Sequence, residues 1–408
     1  MTWLVVILGL ALLVFLHELG HFSVARLVGM KPRAFYIGFP PAVVTIRRNG
    51  IEYGVGAVPL GGYVRIPGMQ RPAAGDFQTL MSSALQEDPA LAAPAEAVRT
   101  ALAGEDFAAA RTALPALSAA LGQAQLTSSA SRSARQAVRG VDEGTGADAY
   151  WRQPTWKRVA AVAAGPGMNI LVAFLIFLVV YATGAPSRTP STEVAQVQAN
   201  TPAAAAGLRP GDHIVAVDGR RTGTFAHVSR IIGGSHGRAI TVTVERAGRS
   251  VTLGPRRTIE EQGRWIWGFV PAPQLVSRPL GASARLAAGD CWGVVTGTVE
   301  SLGNLFRGNQ GAEISGPVGI VRASAQYLRV GFQWYLMLLG LISMSVALFN
   351  LLPLLPLDGG NILFSIVEGL RRRPVQQAVY QRFSAIGMAL ILLVTVIAFS
   401  NDIGATPH

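Results

Sequence analysis

The chain has 408 residues, of which 50% are hydrophobic and only 14% are charged, and its formal net charge is +12. This composition excludes an ordinary soluble domain, in which about a quarter of the residues are charged. It also argues against nucleic-acid binding, because the basic residues are almost all arginines scattered along the chain without a basic block.

Four apolar segments are long enough to cross a bilayer, whose hydrocarbon core takes about 20 helical residues. The first lacks the positive start and the small-residue cleavage site of a signal peptide, so we expect it to be retained. The sequence therefore predicts a polytopic α-helical membrane protein with four transmembrane helices. We place these helices within residues 1–28, 151–184, 332–360 and 384–408, the last range including a tail.

A β-hairpin is predicted in the 29–70 region. Apolar segments with strand character flank Asn49-Gly50, a dipeptide that favours a type I′ turn, so the hairpin covers about residues 42–58. The stretch is glycine-rich and largely uncharged. A hairpin that dips into the bilayer and one that lies on the membrane surface fit this sequence equally well.

The remaining regions differ in composition. Residues 71–150 form an alanine-rich insert that predicts a helical hairpin followed by a flexible linker over 126–148. Residues 185–275 alternate short strands with Gly, Pro and Asp-Gly turns around one helix, which predicts a small mixed α/β domain. An amphipathic segment follows at 276–331, and residues 361–383 are predicted as a loop.

Basic residues near the ends of the spans predict the topology. One side carries ten of them: Arg26, Lys31, Arg33, Arg152, Lys157, Arg158, Arg371, Arg372, Arg373 and Arg382. The other side carries only Arg188, Arg322 and Arg329 comparably close. By the positive-inside rule, the 29–158 and 371–383 loops face the cytoplasm, whereas both termini and the 185–331 region face outside. Because Cys291 is the single cysteine, the external domain folds without an intramolecular disulfide.

The first span carries a motif with metal-binding spacing, HELGH at residues 17–21. His17 and His21 are four residues apart, so both imidazoles lie on one helix face and can meet a single Zn²⁺. Glu18 follows the first histidine and can take a proton from water that the metal acidifies. A chance match is the alternative, but polar groups inside an apolar span are costly and indicate a function.

A third ligand must come from elsewhere. The other histidines lie in the predicted external domain or the tail, too far away in depth: His213, His227, His236 and His408. The third span offers a carboxylate, Asp358, after the proline-broken run NLLPLLPL. An Asp-Gly turn at the membrane edge is the alternative reading of Asp358. Glu368 is the weaker competitor as a ligand, because its position near Arg371–Arg373 indicates a solvated side chain.

The predicted site is then a zinc ion held by His17, His21 and Asp358, with an open fourth position and Glu18 as general base. Asn350 lies eight residues before Asp358 and can hold a substrate backbone or the oxyanion. A helix-bridging role for this asparagine fits equally well.

These residues resemble the site-2 protease family of intramembrane zinc metalloproteases, in particular the bacterial members with an external PDZ domain that act in regulated intramembrane proteolysis. The resemblance covers nearly the whole chain except the insert. It rests on HELGH at 17–21, GGYVRIPG at 61–68, RQPTWKRVAAVAAGPGMN at 152–169, TPAAAAGLRPGD at 201–212 and NLLPLLPLDGG at 350–360.

The resemblance implies one zinc ion per chain on the positions already named, and a location in the bacterial inner membrane. It implies that residues 34–66 form a membrane-associated hairpin that presents an unwound substrate strand to the metal. It also implies a PDZ domain over about 192–272, in which Gly268-Phe269-Val270 is the possible carboxylate-binding loop. The chain departs from the family pattern in having one PDZ-like unit and in having Leu355 where a second proline is usual.

Substrates implied by the resemblance are single-span membrane proteins that have already been cut outside the membrane, such as anti-sigma factors or signal-peptide remnants. The sequence leaves two other functions as alternatives. A membrane adaptor with a structural zinc ion is disfavoured because such sites usually have four protein ligands, and the sequence offers three at one depth. A zinc transporter is disfavoured because the spans lack His and Asp residues at successive depths.

Overall fold

The structure is a computed structural model and describes residues 2–261, 263–306 and 316–404. It divides into two compact units. The helical unit comprises residues 1–175, 290–329 and 338–408, and the sheet unit comprises residues 176–289 and 330–337. Part of the predicted amphipathic segment, residues 307–315, lies outside the described residues.

Helices make up most of the chain. They are α1 (Thr2–Leu27), α2 (Ala74–Glu87), α3 (Ala92–Ala103), α4 (Phe107–Gln123), α5 (Ser128–Thr145), α6 (Thr155–Thr183), α7 (Pro202–Ala205), α8 (Phe225–Gly233), α9 (Leu280–Phe306), α10 (Pro317–Val330), α11 (Phe332–Asn350), α12 (Asp358–Arg371) and α13 (Gln377–Gly404). Short 3₁₀ turns occur at Pro89–Leu91 and Tyr150–Arg152.

The strands are shorter, except at the hairpin. They are β1 (Ala34–Arg48), β2 (Ile51–Arg65), β3 (Ala185–Val197), β4 (His213–Val217), β5 (Arg220–Arg221), β6 (Ala239–Arg246), β7 (Arg249–Arg257), β8 (Ile259–Glu261), β9 (Arg264–Ile266) and β10 (Phe269–Val276).

Four helices, α1, α6, α11 and α13, are long and apolar enough to cross a membrane. The prediction of a polytopic helical membrane protein is thereby confirmed. One boundary was wrong: residues 332–360 do not form one helix, because α11 ends at Asn350 and α12 begins at Asp358. Pro353 and Pro356 lie between them, and proline has no backbone N–H to continue a helix. Consequently the predicted 361–383 loop contains most of α12.

The insert is a compact bundle of α2 to α5. Its core contains buried Met81, Val98 and Leu117 together with many alanines. The predicted flexible linker over 126–148 was wrong, since α5 occupies 128–145 with Ala130, Ala134, Ala137 and Val141 buried. These positions repeat with helical spacing, but the surrounding serines and glycines concealed the pattern. The small alanines let α5 pack closely against its neighbours.

β1 and β2 pair antiparallel around Asn49 and Gly50, with Arg48 opposite Ile51. Both turn residues have positive φ, 51° and 76°, as a type I′ turn requires. The first part of β1 pairs twice, because residues 34–37 lie opposite both 52–55 and 62–65. The inner face is apolar: Phe35 contacts Phe22 of α1, with ring centroids 5.3 Å apart.

The sheet unit contains a six-stranded sheet in the order β10-β3-β4-β6-β7, with β5 paired to β4. Its core includes Val194, Val228, Val242 and Trp267. Asp212 is buried and accepts hydrogen bonds from Arg246 at 2.7 Å and from the backbone amide of Arg209 at 2.8 Å. Burial alone would raise the pKa of this carboxyl, but the guanidinium and the amide outweigh it and hold the pKa below its usual value.

Candidate metal centre

Helix α1 brings the two motif histidines together. Both side chains are buried, and their Nε2 atoms are 3.2 Å apart. The helix repeat accounts for this pairing, because residues four apart lie one turn above each other. The rings meet edge to face at a centroid distance of 4.8 Å. Two imidazole nitrogens therefore point at one spot inside an apolar span.

Helix α6 orients the second histidine. Nδ1 of His21 donates a hydrogen bond to the carbonyl of Ala161 at 3.0 Å. Since a carbonyl can only accept, Nδ1 carries the proton and the Nε2 lone pair is free for a metal. Close packing of the two helices depends on glycine: a Cβ at Gly165 would lie 2.2 Å from Nε2 of His21, and one at Gly20 would lie 2.3 Å from the carbonyl oxygen of Ala164.

Asp358 reaches the same spot from the first turn of α12. Its Oδ2 atom is 3.3 Å from Nε2 of His17 and 3.3 Å from Nε2 of His21. The preceding segment folds back tightly on α12, because a Cβ at Gly359 would lie 2.2 Å from the carbonyl oxygen of Leu351. Glycine at this position therefore allows the carboxylate to approach the histidines.

The three side chains fit a zinc ion. Their ligand atoms all lie within 4.8 Å of one another, and the closest separations are 3.2 and 3.3 Å. Ligands about 2.0–2.1 Å from a tetrahedral zinc ion would be roughly 3.3 Å apart. Asp358 Oδ2 is buried and has no hydrogen-bond partner within the described chain. Such an orphaned carboxylate oxygen between two imidazoles is the arrangement that a cation satisfies.

Glu18 lies at the edge of this cluster and is partly exposed. Strand β2 passes close to it: a Cβ at Gly62 would lie 2.8 Å from Cγ of Glu18 and 2.7 Å from the carbonyl oxygen of Tyr36. The hairpin therefore runs directly beside the carboxylate that follows the first histidine. A side chain larger than glycine at position 62 would displace either Glu18 or the backbone at Tyr36.

The other candidates lie in different surroundings. Asn350 is the last residue of α11 and is partly exposed. The prediction of a solvated Glu368 is wrong, because this side chain pairs with Arg158 at 2.6 Å and is only 19% exposed. Gly268, with a φ of 95°, precedes Phe269 and Val270 at the start of β10 in the sheet unit.

Sequence reasoning missed two features of α6. Gly165 lies in the family motif at 152–169, and no role was predicted for it. A glycine inside an apolar helix indicates the close approach of another part of the chain. Asn169, on the same helix, is fully buried, and within the described chain neither amide atom has a hydrogen-bond partner. Its backbone carbonyl accepts a hydrogen bond from Ser343 at 2.9 Å.

Comparison with known proteins covers nearly the whole chain. The profile of Peptidase family M50 matches residues 5–394. A protein of Agrobacterium fabrum, named a "Putative zinc metalloprotease", is 33% identical over 98% of this chain and 94% of its own length. Metalloprotease MmpA of Caulobacter vibrioides is 28% identical over 97% and 93% of the two chains. Zinc metalloprotease RasP of Shouchella clausii is 28% identical over 98% of each.

Proposed function

Since this chain belongs to peptidase family M50, the site-2 protease family, we propose that His17, His21 and Asp358 hold its zinc ion and that Glu18 is the general base. The family and the named relatives make the chain a zinc metalloprotease of the inner membrane that acts on membrane proteins. The prediction of a zinc enzyme is confirmed, against an adaptor and a transporter. The convergence of three ligand atoms beside Glu18 supports the residue assignment.

The chemistry is peptide hydrolysis. A zinc ion held by His17, His21 and Asp358 would acidify water and polarise the scissile carbonyl. Glu18 accepts the proton of the attacking water and passes it to the leaving amine. His21 is held in the required tautomer by the carbonyl of Ala161. Asn350 is assigned to the substrate, where its amide donates to the backbone or to the developing oxyanion.

The hairpin presents the substrate in an extended form. Peptide bonds in a helix are shielded by its own hydrogen bonds, so the segment must unwind before it is cut. Residues 62–65 pair with 34–37 on one side, and the described strands leave their other edge open. Gly62 lies against Glu18, so a strand added at this edge would run beside the candidate base. The hairpin also exposes Val43 and Ile46, each 66% accessible, which favours a membrane-associated position.

The sheet unit is assigned as a PDZ domain. Strand β10 is an edge strand that pairs with β3. At its start, Phe269 contacts Phe225 of α8, with ring centroids 6.1 Å apart. An open strand edge next to a helix offers the groove in which PDZ domains bind peptide ends, and Gly268-Phe269-Val270 is the proposed carboxylate-binding loop.

The proposed substrates are single-span membrane proteins that have already been cut outside the membrane, such as anti-sigma factors or signal-peptide remnants. The distribution of basic residues supports a topology with both termini and the sheet unit outside. In this orientation the candidate metal centre lies toward the cytoplasmic side. The PDZ domain then meets the trimmed external end of a substrate, and the hairpin meets its transmembrane segment.

The experiment compares the wild-type protein with Glu18→Gln in detergent, using a model single-span substrate and measuring bound zinc per chain. We expect Glu18→Gln to keep its zinc and to lose cleavage by about 10²–10⁴-fold, the usual contribution of a general base. Glu96→Gln, an exposed glutamate of α3, is the matched control and should cleave normally.

The outcomes separate the assignments. Equal cleavage by both variants would remove Glu18 from the mechanism. Loss of zinc from Glu18→Gln would indicate that this residue supports the metal rather than the proton transfer.

A further inference from the structure

Helix α12 carries a stripe of polar side chains that begins at the candidate zinc ligand. Asp358 is followed on this helix by Asn361, Ser365 and Glu368. Residues three, seven and ten positions apart return to the same helix face. Glu368 therefore lies about 15 Å along the helix axis from Asp358, on the stripe that faces the rest of the helical unit.

Each of these three side chains is held by a different element. Tyr380 of α13 donates a hydrogen bond to Oδ1 of Asn361 at 2.7 Å. Ser365 is 1% exposed and bonds to the hydroxyl of Tyr150 at 2.8 Å. Glu368 accepts from Arg158 of α6 at 2.6 Å and from the backbone amide of Val375 at 3.0 Å.

Apolar and polar contacts share this face of α12, where Ile362 packs against the buried cluster that contains Tyr150. Asn361, Ser365 and Glu368 border a cavity of about 370 Å³, which is also lined by Arg71 and Trp151. The helix start is held by close backbone packing at Gly359, and the three polar contacts act further along the helix, so the rotation and height of α12 depend on both.

Helix α6 connects this stripe to the histidines. Arg158 and Ala161 are three residues apart and lie on one face of α6. Arg158 holds Glu368 of α12, while the carbonyl of Ala161 accepts from His21 of α1. One face of α6 therefore contacts both α1 and α12, the two helices that carry the candidate ligands. Helix α6 supplies no candidate ligand itself.

We propose that the contacts Arg158–Glu368, Tyr150–Ser365 and Tyr380–Asn361 form a positioning network, named here the α12 clamp, that sets the distance between Asp358 and the two histidines. The inference rests on the proposed function, because it takes Asp358 as a zinc ligand. The clamp residues touch neither the metal nor the substrate. They act through α12, and their loss lets the carboxylate move away from the imidazoles while the helices stay folded.

The test uses the full chain in detergent, loaded with Zn²⁺ or with Co²⁺. Two variants loosen the clamp at separate points, Glu368→Gln and Tyr380→Phe. The second removes a single hydroxyl and keeps the experiment decisive if the first fails to fold. Asp212→Asn is the matched control for Glu368→Gln, because it breaks a buried ion pair in the sheet unit. The readouts are the rate of metal release to a chelator, the visible spectrum of bound Co²⁺, and kcat and KM separately.

We expect Glu368→Gln to release zinc at least about 10-fold faster, as loss of partners around metal ligands usually does. Its Co²⁺ spectrum should shift, and kcat should fall with KM unchanged. Tyr380→Phe should change each readout in the same direction by a smaller factor, and Asp212→Asn should change none. Wild-type release rates and spectra in both clamp variants would overturn the proposal. So would equal changes in Asp212→Asn, because these would indicate a general effect of destabilisation.

A fourth variant separates this proposal from the proposed function. Asp358→Asn should release the metal faster than any clamp variant. If Asp358→Asn retains metal like the wild type, the ligand assignment is wrong. If it loses metal while both clamp variants keep it, the ligand assignment stands and the clamp is refuted.

Discussion

Helices α1 and α12 both deliver candidate zinc ligands, but their placement has different physical origins. His17 and His21 are one turn apart, so the helix repeat places both imidazoles on one face, where their Nε2 atoms are 3.2 Å apart. Asp358 belongs to a distant part of the sequence and comes within 3.3 Å of them only through contacts among several helices. A local ligand pair can therefore be recognised from its spacing, whereas the position of the third ligand depends on the rest of the fold.

The largest effect is expected at Gly165, because even the local histidine pair needs space that α6 provides. A methyl group at this position would lie 2.2 Å from Nε2 of His21. We expect Gly165→Ala to rotate the imidazole and reduce cleavage by about 100-fold, since displacements near 1 Å cost this much. Zinc affinity should fall with it. Both are measurable by the substrate assay and by chelator competition.

Gly167→Ala is the control for this change. Gly167 lies on the same helix with nothing within 4 Å of its added Cβ. Normal zinc affinity in Gly165→Ala would mean that His21 does not occupy the position described here. A comparable loss in Gly167→Ala would point to the helix itself and not to the imidazole.

The position of Asp358 depends on Gly359, the second residue of α12. A Cβ there would lie 2.2 Å from the carbonyl oxygen of Leu351, so the backbone before α12 must shift. We expect Gly359→Ala to weaken zinc binding by about 10-fold, because Asp358 moves with the helix start while the histidines stay in place. Chelator competition measures the effect. Gly293→Ala in α9, which meets nothing within 4 Å, should leave zinc binding unchanged.

The smallest effect concerns purely local structure, at a site far from any ligand in the sequence. Gly140 lies on α5, and its added Cβ would meet nothing within 4 Å. Gly140→Ala should raise the opening free energy of α5 by roughly 0.5–1 kcal/mol, because alanine loses less backbone entropy in a helix than glycine. Hydrogen exchange of the α5 amides reports this value. Fast exchange throughout residues 128–145 in the wild type and in Gly140→Ala would instead indicate that this segment is a flexible linker.

Long apolar segments predicted the four candidate spans well, because mean composition over about 20 residues reports burial in lipid. Shorter elements were harder. The sequence predicts α12 as part of a span and a loop, since Pro353 and Pro356 indicate a break but not where the next helix starts. The sequence predicts a linker in place of α5, because alanine carries little hydrophobic signal on its own. Its burial becomes clear only when neighbouring helices pack against it.

Local sequence patterns identify the reactive groups: two imidazoles one turn apart, a carboxylate next to them, and a further carboxylate in a broken apolar segment. They suffice for this because helical spacing and the cost of polar groups in lipid are local properties. Three features become visible only in the folded chain. Asp358 lies beside the histidines, Glu368 pairs with Arg158, and Gly165 leaves space for the imidazole of His21. These contacts join residues far apart in the chain, and their distances follow from how the helices pack together, which no local pattern records.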